Sequence, residues 1–193
     1  AGQARQADER EAMLMNLEAA RAAVDEAAAA AREVSMLKAE EEAAADEAKA
    51  SKEAAIVEAE LKEAGLTDEA AQIHKLREAL EGGAMSGVEL EAAAKEAHAL
   101  AKKLKAMEKP AEANRMAAEV EQLAKDLSVA AKAKLEAEKL EKEKEATDDL
   151  KEAAAEGHAL ADGLRSEGLG EDAAEVERIT KLVEGVMSGK VKG

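Results

Sequence analysis

Glu96-Ala97-His98-Ala99-Leu100-Ala101-Lys102-Lys103-Leu104-Lys105 returns about sixty residues later as Glu156-Gly157-His158-Ala159-Leu160-Ala161-Asp162-Gly163-Leu164-Arg165. Each copy is followed by a loop and then by the same five letters, Ala117-Ala118-Glu119-Val120-Glu121 and Ala173-Ala174-Glu175-Val176-Glu177. A helix-loop-helix unit that recurs predicts an architecture built by stacking supersecondary elements, not a single pocket built around a reaction.

A second repeat supports the first. Gly65-Leu66 through Gly87 aligns with Gly168-Leu169 through Gly189 with one residue deleted, ending in Gly-Ala-Met-Ser-Gly against Gly-Val-Met-Ser-Gly. Three related hairpins are therefore expected, near 53–82, 95–127 and 153–186, and in the first of them Ala55 stands where the others carry His. The hairpins resemble tetratricopeptide-type repeats in unit length, in the Gly at the turn and in the early Ala of the second helix, as in Gly168-Leu169-Gly170-Glu171-Asp172-Ala173. That resemblance implies a scaffold of packed hairpins and no particular ligand; the family's bulky and aromatic positions have no counterpart here.

Composition narrows the fold class to all-α. The 193 residues contain no Phe, Tyr, Trp or Cys, so Leu, Val, Ile, Met and Ala must make the core. Ala, Glu, Lys, Leu, Arg and Gln, the best helix formers, fill most positions. The expected protein is elongated, with long coiled-coil-like helices beside the three hairpins.

Breakers place the boundaries. Nothing interrupts the helical pattern from Gln3 to Ala64, a length of about 90 Å at the α-helical rise. Within it Met13, Leu17, Ala20, Val24, Ala27, Ala31 and Val34 alternate in steps of four and three, the spacing of a coiled-coil seam, and they are the expected interface. Gly65 ends this helix, and Thr67 reads as the N-cap of the next, with Asp68 and Glu69 in its first turn. Gly82-Gly83 ends the second helix and Ser86 reads as the cap of a third, 88–108. Pro110 marks a further boundary, a fourth helix is expected from Ala111 to about Arg165, and Gly168-Leu169-Gly170 turns the chain into a last one, 171–187. The organisation expected is an arm over 1–52, two hairpins over 53–130, a charged helical connector over 131–149, a third hairpin over 150–187 and a frayed tail, 188–193.

Charge and motif content bear on function. A formal net charge of −16 argues against nucleic acid, which calls for a basic face and stacking aromatics. The longest uninterrupted apolar run is the five alanines 27–31, far short of a membrane span, and the first residues lack the pattern of a secretory signal, so a cytoplasmic location is expected. His98 and His158 occupy equivalent positions and could together hold haem or a transition metal. Signatures of defined metal sites fail: no Glu stands three residues before a His, and no His-Glu-x-x-His is present. Gly185-Val186-Met187-Ser188-Gly189-Lys190 spaces its glycines one residue too closely for a phosphate loop, and no serine lies in a Gly-x-Ser-x-Gly setting. A scaffold acting through helix-mediated association, with a protein partner or as a homo-oligomer, and without catalysis or cofactor, is the function expected. A cofactor- or metal-binding bundle using His98 and His158, or an amphipathic lipid-surface protein, is the alternative.

Overall fold

The computed structural model describes residues 2–108 and 112–187. All five elements are helices: α1 (Gly2–Glu63), α2 (Thr67–Gly82), α3 (Gly87–Lys105), α4 (Ala113–Ser166) and α5 (Gly170–Met187). No strand occurs among the described residues, so the protein is all-α, with two of its helices 62 and 54 residues long. The boundary expected at Pro110 and the tail 188–193 lie outside the described residues.

Two turns of the same design make the tight hairpins. At the end of α1, Gly65 N–H donates to the Lys62 carbonyl and Leu66 N–H to the Leu61 carbonyl, with Gly65 at φ 78°. Gly168 and Leu169 repeat both bonds on Arg165 and Leu164, with Gly168 at φ 80°. This is a Schellman ending, in which the left-handed residue reverses the chain while satisfying the last carbonyls, and glycine fills it without a Cβ penalty. Thr67 does not cap α2. It is the first helical residue, and the flanking position belongs to Leu66, whose side chain can offer no cap bond. The Leu66 carbonyl instead takes the first helical bond, from Ala70 N–H, as Leu169 does from Ala173, so the turn itself sets the helix start. Ser86 does cap α3, accepting from Glu89 N–H at 3.2 Å.

The chain divides into two compact units, residues 1–140 and 141–193. In the first, α1 to α3 and the start of α4 form an antiparallel ring. Glu58 of α1 meets His74 and Arg77 of α2, Glu69 of α2 meets Lys103 of α3, and His98 of α3 meets Glu121 of α4. The ring closes where Lys49 and Glu60 of α1 meet Asp126 and Arg115 of α4. One core cluster runs through all four helices, with Leu61, Ile73, Leu90, Leu104, Val120, Leu123 and Leu127 as its largest fully buried side chains. Most other buried positions are alanine, so the helices approach closely and much of the contact is backbone against small side chain. Burial on α1 begins at Ala39, inside the stretch 1–52 read as the arm.

Gly87 shows how close that approach is. Its N–H donates to Glu138 Oε1 at 3.0 Å, and a Cβ placed there would lie 2.5 Å from Leu135 Cγ and 3.0 Å from the Leu135 backbone nitrogen. The start of α3 therefore rests on the α4 backbone, and Gly87→Ala should destabilise the bundle by about 1–3 kcal/mol, measured by urea unfolding. Unfolding indistinguishable from wild type would mean that α3 and α4 are not in such contact.

The second unit is a two-helix hairpin, the last part of α4 against α5. Ala154, Ala161, Ala173 and Thr180 are its buried residues among those described, and a Cβ at Gly157 would collide with the Thr180 side chain. Leu160, Ile179 and Leu182 remain about half exposed. The charged stretch 132–149 is helical and mostly exposed, as its composition requires.

Candidate functional site

Three features carry the chemistry of this fold: the histidines, a seam of carboxylates, and the free end of α1. The two duplicated histidines each meet a glutamate from the opposite helix of their own hairpin. His98 Nδ1 lies 2.7 Å from Glu121 Oε2, and His158 Nε2 is bonded to Glu184. Their partners are not equivalent: the counterpart of Glu121 is Glu177, which instead pairs with Arg165, and Glu184 lies seven residues further on. The repeat is thus a repeat of letters whose helices are paired in different registers. Both imidazoles are about half exposed, and no cluster of three or more metal-ligating side chains suited to an ion occurs among the described residues.

His74, which showed no pattern in the sequence, belongs to the most buried ionic group. Glu58 is 4% exposed and accepts from Arg77 Nε at 2.8 Å, with Lys62 Nζ at 2.9 Å and His74 Nδ1 at 2.8 Å. Burial pushes its carboxyl up, but hydrogen bonds from Lys62, Arg77 and His74 outweigh that and bring it down to about 2. This group clamps α2 onto α1.

Along the α1–α4 contact the carboxylates face one another. Glu53 opposes Asp126, and Glu60 opposes Glu119, the successive acids standing seven positions apart on each helix. Glu47 extends the row. Among the described residues, the buried side-chain oxygens with no conventional hydrogen-bond partner are Glu47 Oε1, Glu53 Oε2, Glu60 Oε2, Glu119 Oε2 and Asp126 Oδ2, and every one lies on this seam. Two acceptors cannot bond unless one holds a proton. Burial, the hydrogen bond to Asp126 and the Asp126 charge raise Glu53 to about 7, while Asp126 is held low despite its burial by Glu53, Gln122 and Lys49. In the same way the hydrogen bond with Glu60, with burial, raises Glu119, and Glu60 is lowered. Each pair is thus arranged to share a proton across the helix contact, taken up by its raised member, Glu53 in one and Glu119 in the other.

The third feature is the arm. No residue of the described stretch 2–38 is buried, and Met13, Leu14, Met15, Leu17 and Val24 are each more than 60% exposed. All seven seam residues, Met13, Leu17, Ala20, Val24, Ala27, Ala31 and Val34, are exposed. A cleft of about 740 Å³ lies between α2 and α3, lined by Ile73, Leu76, Ala93, Ala97 and Leu100 together with charged residues such as Lys75, Glu96 and Lys103. No helix among the described residues is long and apolar enough to cross a membrane. Compared with known proteins, the chain matches no family model, no curated protein and no solved structure.

Proposed function

We propose that the protein is a structural element that associates with protein partners through its helices, with the arm of α1 as the contact surface. The observation that carries this reading is the exposed apolar stripe over residues 13–34, on a helix that extends some 37 residues before its first buried position. A monomer seldom leaves a contiguous apolar surface of that kind open to water, whereas association surfaces regularly do. The bundle supplies a base from which the arm projects, and the acids on the side of the arm away from the seam, Glu18, Asp25, Glu26 and Glu33, disfavour indiscriminate contacts. Catalysis has no part in this reading, because the ionisable groups brought together serve helix packing.

Leu17→Glu combined with Val24→Glu tests it. Both side chains are exposed, so helicity and melting of the bundle should be unchanged, while association measured by sedimentation, with itself or with a partner, should be lost. Association that survives both charges would remove the arm from the account.

A further inference from the structure

The arm presents its seam on a different side from the bundle. The bundle-facing residues of α1 include Ala43, Glu47, Ala50, Ala54, Val57 and Leu61. Continued past Val34, the arm's steps of four and three pass through Lys38, Glu41, Ala45 and Ala48, all of them exposed. The two series are offset by two residues, about 200° around an α-helix. The seam therefore continues onto the outer side of α1 beside the bundle, and a helix lying on it meets no bundle helix.

The flanks of this seam are nearly free of charge. Between Met13 and Leu37 the positions beside it are Leu14, Asn16, Ala23, Ala28, Ala30, Ser35 and Leu37, with Arg21 the lone ionised one. The charges lie at the ends, Arg10 before the apolar stretch and Lys38 and Glu41 after it, all on the seam itself. A parallel pairing with an identical helix would set Arg10 on Arg10, Lys38 on Lys38 and Glu41 on Glu41. An antiparallel pairing centred between Val24 and Ala27 sets Leu17 against Val34, Ala20 against Ala31 and Val24 against Ala27. The same register brings Arg10 onto Glu41 at both ends and lays the Lys38 stem over Met13.

We propose that the occupant of the arm is the arm of a second copy of this chain, running antiparallel, so that two bundles are held at opposite ends of an Ala-rich two-helix rod. The proposal rests on the reading of the arm as an association surface and adds the partner, its direction and its register. Charge complementarity selects it, since the antiparallel register pairs every seam charge with an opposite charge or an aliphatic neighbour. Small residues at the central layers let the backbones approach closely.

The chain has no cysteine, which makes the register directly readable. Ala20→Cys and Ala31→Cys are prepared separately, oxidised alone and oxidised as a mixture, and the intact chain is weighed by light scattering. The expected results are a mass twice 20.2 kDa, a disulfide-linked dimer from the mixture, and no cross-link from either variant alone. As a second measurement, Arg10→Glu or Glu41→Arg should weaken dimerisation several-fold, and the two together should restore it. A monomeric mass at every concentration reached overturns self-pairing. The reading of the arm as an association surface then falls as well unless a different protein binds it and loses affinity with the Leu17→Glu, Val24→Glu variant. A dimer in which each cysteine variant cross-links to itself, or in which the mixture fails to cross-link, overturns the antiparallel register.

Discussion

Leu123→Ala should lower the stability of the four-helix bundle by about 2–5 kcal/mol, toward the upper part of the range for buried leucines. Leu123 is fully buried on α4, within a core that contains no aromatic side chain. Its buried neighbours along α4, Val120 and Leu127, share its stripe, but many of the other core positions are alanine. Alanine cannot rotate into a void, and helices already close at Ala50, Ala54 and Ala130 have little room left to collapse, so most of the cavity should persist. Urea titration followed by helical circular dichroism measures the difference. Val129→Ala on the same helix, where the side chain is 52% exposed, should stay within about 0.5 kcal/mol of wild type. If Leu123→Ala were as mild as Val129→Ala, the bundle would not be packed around α4 as described.

Helix limits are written plainly in this sequence and helix partners are not. Gly65, Gly83 and Gly168 each take positive φ at or just beyond a helix end, and that local requirement shows in the letters, so four of the five helices begin and end within about two residues of the expected places; only the third stops earlier, at Lys105 and not at 108. Thr67 misleads because a Schellman turn hands the helix start to Leu66, whose backbone does what a cap side chain would otherwise do. The histidines mislead in another way. His98 and His158 share a local sequence, yet Glu121 and Glu184 reach them through helix pairings that differ in register, which a motif cannot express.

The carboxylate seam was illegible for the same reason. Glu53 and Asp126 are 73 residues apart in a chain with 44 acidic side chains, and nothing local distinguishes them from solvated neighbours. What signals them is the antiparallel register of α1 on α4, which also brings Lys49 and Arg115 to the same row as counter-charges. The arm lies between these cases: its spacing is visible in the letters, while its separation from the bundle-facing side emerges only once Ala43 to Leu61 are seen to be buried.

The seam predicts that the bundle is more stable at pH 5 than at pH 8. Glu53, Glu119 and Glu47 have carboxyls raised by burial or by an opposing acid, so the folded state binds their protons more tightly than the unfolded chain. Their contribution is fully present below the ordinary glutamate value and disappears as pH rises through the folded one, about 7 for Glu53. Glu58, Glu60, Glu69 and Asp126 are lowered, so their contribution is present above the ordinary value and disappears only in acid, near 2 for Glu58. The two sets overlap best around pH 4.5–5, below the neutral range, and raising the pH to 8 withdraws only the first. Glu53→Gln replaces the shared proton by an amide that donates to Asp126 at every pH. It should stabilise the chain at pH 8 by on the order of 1–2 kcal/mol, allowing for partial solvent screening, and flatten the change in melting temperature between pH 5.5 and 8. Glu63→Gln removes the same charge from an exposed position near the end of α1 and should leave that slope intact. Melting curves at fixed protein concentration and ionic strength decide between them. Equal slopes for wild type and Glu53→Gln would mean that no proton is shared across the α1–α4 contact.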